Sequence, residues 1–256
     1  AIGLFSSADE NQTVSIGNAA NGITRRIVNV AAGSNASDAV NVGQLTSAVA
    51  GVVAGSNPYV DTDSAGAPAN ASGVEAVAIG GNTVASGENS VAIGRGATAQ
   101  NGAAVAIGFD NIADGDGAVS IGDPNVATGT GAVALGRDNT ATGNGALAIG
   151  DTNSSNGDAA IALGQTANAG AAGALALGGL STAQTANAVA IGAETGAQGA
   201  QSVALGYQAV ALSDDAVAIG SGSVADAVNT VSVGAAGAER RITNVADATG
   251  LSDAVN

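Results

Sequence analysis

The chain has 256 residues, of which 40 are Gly and only 2% are aromatic, and its net charge is −15. All six basic residues are Arg, so there is no basic patch for nucleic acid, and an anionic membrane would repel the chain. The absence of Cys and His removes disulfides, thiolate metal sites and the commonest general base. We therefore predict that the chain is not an enzyme and needs no cofactor.

The apolar residues are mostly Ala and Val, and Met and Trp are absent. An ordinary core needs side chains of many shapes, so small uniform ones favour a regular, repeated interior. The sequence contains no run of about 20 apolar residues, so no membrane-spanning helix is predicted. The chain starts inside a repeat and stops inside a motif, so we expect it to be a piece of a longer protein. The negative charge is interpreted as favouring solubility, with a cationic partner or bound Ca²⁺ as alternatives.

Residues 1–17 carry an aliphatic residue followed by Gly at Gly3 and again at Gly17. The same 14-residue spacing recurs later in the chain, and we predict that the segment is the end of a β-roll.

Residues 18–45 interrupt the repeat and form the first of two junctions. Its Arg pair, Arg25 and Arg26, can reach carboxylates of a neighbouring chain through forked hydrogen bonds, with Asp38 as the candidate acceptor. Asn29 belongs to the same motif. The alternative interpretation is that these arginines are solvated and balance local charge.

A short coiled-coil helix is predicted over residues 46–56, with Ser37 as a helix N-cap. The seam residues follow one another at spacings of 3, 4 and 3, namely Val42, Leu45, Val49 and Val52. Residues 57–75, which include Pro58 and Pro68, are predicted to be an irregular connector.

Residues 76–234 contain the strongest signal, a 14-residue unit that recurs twelve times without insertion. Each unit ends on two aliphatic residues separated by a small one and followed by Gly, as in Val91-Ala92-Ile93-Gly94. A unit of this length can hold two short strands and two turns, and stacked units pair like strands in parallel. The predicted fold class is therefore all-β, a parallel β-roll of 14-residue coils.

Both faces of the first strand of each unit are apolar, one with Val, Ile or Leu and the other with Ala. Both faces must then be buried, but a two-sheet roll buries only one face of each strand. We expect other copies of the chain to cover the second face. The pattern does not decide which of the two faces points to the symmetry axis. The second strand varies, as at Val84, Thr98 and Ser154, which suits a surface half exposed to water.

Residues 235–256 repeat the first junction without gaps from its Arg pair onward. The residues of this second motif are Arg240, Arg241, Asn244 and Asp253.

The unit Ser90-Val91-Ala92-Ile93-Gly94 and its eleven companions resemble the head repeats of YadA-like trimeric autotransporter adhesins. The two Arg-Arg-Ile-x-Asn-Val-Ala segments resemble the neck of that family, and Tyr59 to Ala78 is similar to its connector. The resemblance implies a homotrimer of left-handed β-rolls whose necks lead onto coiled coils. It also implies display on the bacterial cell surface, through an outer-membrane anchor outside this segment, and binding to host matrix, cells or surfaces.

In one branch of the family, collagen binding maps to a pattern that Asn89 to Gly94 match. Ala97 replaces the last Ser of that pattern, which argues against collagen. Asn89 and Ser90 are nevertheless candidate ligand contacts. Phe109 and Tyr207, which lie in the variable turn after the Gly, are two more.

Two functions remain open, a binding module and a spacer that lengthens the fibre of an adhesin whose tip lies elsewhere. For residues 114–117, Asp-Gly-Asp-Gly, the alternatives are a Ca²⁺ site and an exposed turn. Left-handed β-helix acyltransferases have a period of 6 and use a catalytic His, so they are excluded.

Overall fold

The computed structural model describes residues 1–53, 56–57, 60–61 and 66–253. The chain divides into two compact units, Ala1–Asp61 and Thr62–Asn256. Much of the predicted connector, including Pro58 and Tyr59, and the end of the second junction at residues 254–256 lie outside the described residues.

The first unit contains one α-helix and short extended segments. Its elements are a 3₁₀ turn at Ala19–Asn21, helix α1 at Val42–Val53, and the antiparallel pair β1 (Ser56–Asn57) and β2 (Val60–Asp61).

Helix α1 begins at Val42 because Asn41 caps it. The Oδ1 of Asn41 accepts from the backbone N of Gln44 at 2.9 Å, and the Oε1 of Gln44 accepts from the backbone N of Asn41 at 3.3 Å. This reciprocal pair is a capping box in which Asn replaces the usual Ser or Thr. The prediction of Ser37 as the N-cap is wrong, because Ser37 lies in a turn before the helix and Asn41 makes the capping hydrogen bonds.

The second unit is a parallel β-solenoid of two 12-stranded sheets, which confirms the predicted fold class. One sheet, here called the aliphatic sheet, consists of β4 (Val77–Ile79), β6 (Val91–Ile93), β8 (Val105–Gly108), β10 (Val119–Asp123), β12 (Val133–Arg137), β14 (Leu147–Asp151), β16 (Ile161–Gln165), β18 (Leu175–Leu177), β20 (Val189–Ile191), β22 (Val203–Leu205), β24 (Val217–Ile219) and β26 (Val231–Ser232). The other, here called the mixed sheet, consists of β3 (Asn70–Ala71), β5 (Val84–Ala85), β7 (Thr98–Gln100), β9 (Ile112–Asp114), β11 (Val126–Thr128), β13 (Thr140–Thr142), β15 (Ser154–Asn156), β17 (Asn168–Ala169), β19 (Thr182–Ala183), β21 (Gly196–Ala197), β23 (Val210–Ala211) and β25 (Val224–Ala225).

Each strand pairs with the equivalent strand of the next 14-residue coil. Val133 of β12, for example, lies opposite Val119 of β10 and Leu147 of β14. Like residues therefore stack in columns, and the period of the sequence fixes the register of both sheets.

The Gly that ends each strand of the aliphatic sheet is required by the stacking of the turns. Gly122 has a φ of 127°, in the region that favours glycine, and a Cβ there would collide with the carbonyl of Gly136 in the next coil. The invariant Gly column thus lets successive backbones approach closely.

The interior between the two sheets is filled by methyl groups. Every buried hydrophobic residue in the described ranges is an Ala, and each is at most 1% exposed. Ala148 in β14 stacks between Ala134 and Ala162 of the neighbouring coils. The larger buried side chains in the described ranges are Asn, Thr and Ser, so the two sheets lie too close together for a Leu or Ile side chain between them.

A column of buried Asn side chains runs through four successive coils, at Asn111, Asn125, Asn139 and Asn153. The Nδ2 of Asn139 lies 2.9 Å from the Oδ1 of Asn125, and the Oδ1 of Asn139 accepts from the Nδ2 of Asn153 at 2.8 Å. Asn139 Nδ2 also donates to the carbonyl of Gly150 at 2.8 Å. The sequence analysis missed this column, although the four Asn recur at the 14-residue period of the sequence.

Replacement of a core methyl by a larger side chain tests the packing of the interior. We expect Ala148→Leu to destabilise the fold by about 1–3 kcal/mol or more, because overpacking must push the two sheets apart. The measurement is the urea midpoint at a fixed chain concentration. Ala193→Leu, at an exposed turn, is the control and should change stability by no more than about 0.5 kcal/mol; equal effects of the two changes would contradict a methyl-filled interior.

Removal of one member of the Asn column tests its contribution to stability. Asn139→Ala leaves the carbonyl of Gly150 and the backbone N–H of Asn153 without their partner, and we expect a loss of about 1–3 kcal/mol in the free energy of unfolding. Asn144→Ala, at an exposed turn of the same coil, is the matched control and should have a clearly smaller effect in the same urea titration.

Candidate functional site

The outer face of the aliphatic sheet is an apolar surface that the single chain leaves partly uncovered. Most of its strands carry a buried Ala between two half-buried or exposed aliphatic residues, and Leu135, Leu205 and Ile219 are 40%, 43% and 42% exposed. The Ala side chains point between the two sheets, and the Val, Ile and Leu side chains point outward. The expected burial is thus found for the Ala face, while the aliphatic face is partly exposed to water in the single chain.

The outer face of the mixed sheet differs in composition. It carries Thr98, Thr140, Ser154 and Thr182 beside scattered aliphatic residues such as Ile112, and its side chains are half-buried or exposed. A face that mixes hydroxyl, amide and aliphatic groups can remain in water or meet a polar ligand.

The turns at the edge of the solenoid carry the charged residues. Arg137 lies between two carboxylates, at 3.2 Å from Asp138 and 2.8 Å from Asp151. The hydrogen bond and charge of Arg137 lower the pKa of Asp151, and Asp151 in turn raises the pKa of Arg137. All three side chains are in contact with water, so this ion pair contributes little to stability.

The candidate ligand contacts fall into different environments. Asn89 and Tyr207 are exposed, and Phe109 is 41% exposed with the guanidinium of Arg95 at 5.4 Å from its ring centroid. Ser90 as a ligand contact is a prediction that the structure contradicts. Its side chain is fully buried and its Oγ donates to the carbonyl of Gly87 at 2.7 Å.

In the first junction, Arg25 binds the segment that precedes it. Its guanidinium donates to the Oγ of Ser6 at 2.9 Å, to the carbonyl of Ile16 at 2.7 Å and to the carbonyl of Leu4. These contacts hold the junction to residues 1–17 within the same unit.

In the second junction, Arg240 makes the equivalent contacts. It donates to the Oγ of Ser223 at 2.8 Å, to the carbonyl of Val233 at 2.7 Å and to the carbonyl of Ser221. The two junctions therefore share one hydrogen-bond pattern as well as one sequence motif.

The second arginine of each pair differs from the first in its contacts. Arg26 and Arg241 are exposed and make no hydrogen bond or ion pair with the described residues. Asn29 and Asn244 are exposed too, and both adopt the left-handed conformation with a φ of 61°. The two copies of the motif therefore share this backbone conformation as well as the contacts of the first arginine.

The two Asp residues of the motif are engaged with local backbone rather than with an arginine of their own chain. The Oδ2 of Asp38 accepts from the backbone N of Ser34 at 2.8 Å and of Asn35 at 2.9 Å. The Oδ2 of Asp253 accepts from Gly250 at 2.7 Å and Thr249 at 2.9 Å. These backbone hydrogen bonds hold the pKa of both carboxyls below the usual value.

The described residues give no support for a metal site or for a membrane-spanning helix. They contain no cluster of three acidic side chains that could hold a metal ion, and no helix among them is both long and apolar enough to cross a membrane. Asp114 is the last residue of strand β9, and its Oδ1 accepts from the Nδ2 of Asn101 at 2.5 Å, while residues 115–117 form the turn that follows.

The class of protein follows from these features together with comparison to known families. The solenoid matches the family described as YadA head domain repeat, and the matched segments are residues 71–97, 99–123, 127–153, 155–181, 169–195, 197–223 and 212–236. Residues 26–68 and 241–256 match the coiled stalk of trimeric autotransporter adhesin. No curated protein matches the chain.

The chain belongs to the trimeric autotransporter adhesins, which confirms the resemblance noted in the sequence. Membership implies a homotrimer displayed at the bacterial surface, and it places the chain in a family of adhesins rather than of enzymes.

Proposed function

We propose that this chain is an adhesin head segment that binds host extracellular matrix, cells or surfaces through a trimeric, repetitive β-roll. The observation that carries the proposal is the division of the solenoid surface into an aliphatic face and a mixed face. The first is suited to other copies of the chain, and the second, with the turns, is left for a ligand. Anchoring in the outer membrane through a region outside these residues is part of the same proposal.

The aliphatic face is assigned to contacts between the three chains. Its columns of Val, Ile and Leu continue over the full stack, and burying them would remove a large apolar surface from water. A second and third copy present the same columns at the same 14-residue repeat. Symmetric association then covers every coil at once.

The mixed face and the turns are assigned to ligand binding. They repeat at every coil and would occur three times around the trimer, so many shallow contacts can act together. Phe109 and Tyr207 are the candidate contacts with the largest exposed apolar surface there. Asn89 is a candidate polar contact in another turn.

The junctions are proposed to be necks that join a roll to a coiled coil, with residues 1–17 as the end of a preceding roll. The domain boundaries are proposed as residues 18–45 for the first neck, 46–56 for the coiled coil, 57–75 for the connector, 76–234 for the head and 235–256 for the second neck. Helix α1 supports the coiled coil, since Val42, Leu45 and Val49 are exposed in the single chain. Arg26 and Arg241 remain available for carboxylates of a neighbouring chain, such as the Oδ1 of Asp38 or Asp253.

Charged substitutions on the aliphatic face test the proposed association. The double change Leu135→Asp and Ile149→Asp would place six carboxylates in the interface of a trimer, and each unpaired buried charge costs several kcal/mol. We expect the mass from light scattering to fall below three chains at micromolar concentration, or the thermal midpoint to fall by at least about 10 °C.

The matched control carries the same charges on the mixed face. Thr128→Asp with Thr142→Asp changes adjacent coils of that sheet, where both positions face water at least in part. The control should keep the mass of three chains. A parent protein with the mass of one chain would refute the assignment, as would identical behaviour of the two double variants.

The spacer is the second candidate function, and one observation favours it. The hydrogen bonds of Arg25 and Arg240 show the same junction twice in one chain, which is what a fibre of serial segments would need. In that case the adhesive tip lies elsewhere and this segment binds no ligand.

A binding assay on the purified trimer separates the two functions. Fluorescent protein is titrated onto immobilised collagen, laminin and fibronectin, and onto cultured epithelial cells. Saturable binding that Phe109→Ala with Tyr207→Ala weakens by about threefold or more, while the mass of three chains is unchanged, supports adhesion through the turns. Absence of saturable binding on every surface would support the spacer instead.

A further inference from the structure

The three acceptors of the neck arginine are defined by their positions in the last coil of a roll. In the solenoid the last coil is residues 221–234, and Arg240 binds its first carbonyl, the hydroxyl of its third residue and the carbonyl of its next-to-last residue. The first neck follows the same rule on the coil of residues 4–17. Two copies with one geometry indicate a rule for ending a roll.

Inside the stack, the coil that follows satisfies the first and the next-to-last carbonyl of each coil. The Nδ2 of Asn125 donates to the carbonyl of Ile121 in the preceding coil at 3.0 Å, and Thr83 likewise donates to the carbonyl of Ile79 at 3.3 Å. The backbone N of Asp138 donates to the carbonyl of Asp123, the first residue of the preceding coil, at 3.2 Å. Each coil therefore relies on a neighbouring coil to satisfy polar groups in its turn.

At the end of the stack no further coil follows, and both sheets would present open edges at β25 and β26. Ser223 donates its hydroxyl proton to the carbonyl of Ile219 at 2.6 Å and accepts from Arg240 at 2.8 Å. Ser6 donates to the carbonyl of Ile2 at 2.8 Å in the same way. A hydroxyl can do both at once, whereas Ala at this position offers neither group.

We propose that the first arginine of each neck, Arg25 or Arg240, is a roll terminator that recognises a Ser at the third position of the last coil. The guanidinium takes the place of the missing coil, and its fork reaches three acceptors that a single ammonium could not. The terminator acts within one chain, so it is separate from any contact of Arg26 or Arg241 with a neighbour.

Hydrogen exchange of the full chain, followed by mass spectrometry of peptides, tests the proposal. We expect Arg240→Ala to speed exchange of residues 217–234 by about tenfold, because charge-assisted hydrogen bonds at the roll end are lost. Exchange of residues 119–150, in the middle of the stack, should stay at the parental rate. Arg241→Ala is the matched control and should leave both regions unchanged.

A pair of deletions of equal length tests the Ser rule while preserving the 14-residue register. Deletion of residues 207–220 keeps Ser221 and Ser223 next to the neck, whereas deletion of residues 221–234 brings Ala209 to the third position of the new last coil. Only the second deletion should speed exchange at the roll end, and Ala209→Ser added to it should restore protection.

The proposal has two ways to fail. If Arg240→Ala exchanges like Arg241→Ala at residues 217–234, the arginine does not end the roll. If the two deletions are equally protected, or if Ala209→Ser restores nothing, the serine is not the group that the arginine recognises.

Discussion

The structure depends on an interior that is too narrow for large aliphatic side chains. Because Ala occupies every buried hydrophobic position in the described residues, the larger aliphatic side chains of the same strands must point away from the interior. A β-strand has two faces, so when Ala occupies the inner face, the larger side chains lie on the outer face. The outward columns of Val, Ile and Leu are therefore a consequence of the narrow core. The chain's own fold turns them into a surface that needs other copies.

The same narrow core explains why polar groups recur at fixed positions. A core of Ala alone supplies little apolar burial per residue, so backbone hydrogen bonds and their satisfaction weigh more heavily than in a larger core. Turn carbonyls accept hydrogen bonds from Asn in four coils, from Thr in others and from Ser in the last coil. At the end of the roll, Arg240 donates to turn carbonyls in place of a further coil. The buried Asn column and the neck arginine thus both supply hydrogen-bond donors to turn carbonyls.

The period of the sequence predicted the parallel stack, the register and the two apolar faces, since a strict 14-residue repeat leaves few other structures. It could not decide which face is inside, because that depends on the distance between the sheets and not on pattern. It assigned Ser90 to a ligand although the same column is Ala in most coils and therefore interior. It named Ser37 as the N-cap, whereas Asn41 and Gln44 form the capping hydrogen bonds in the structure. The hydrogen bonds of Asp38 are formed within its own chain, with the backbone of Ser34 and Asn35. A contact between chains depends on how several copies are arranged, which the sequence of one chain does not specify.

The regular 14-residue columns allow the roll to differ in length by whole coils. A coil can be added or removed without changing any contact beyond its two neighbours, provided that the last coil before a neck carries Ser at its third position. Each added coil extends both the surface that holds the chains together and the surface that faces outward. Under the proposed assignment of the two faces, the stability of association and the number of ligand contacts then grow together. A fibre at the cell surface can in this way vary its reach while every coil keeps the same local hydrogen bonds.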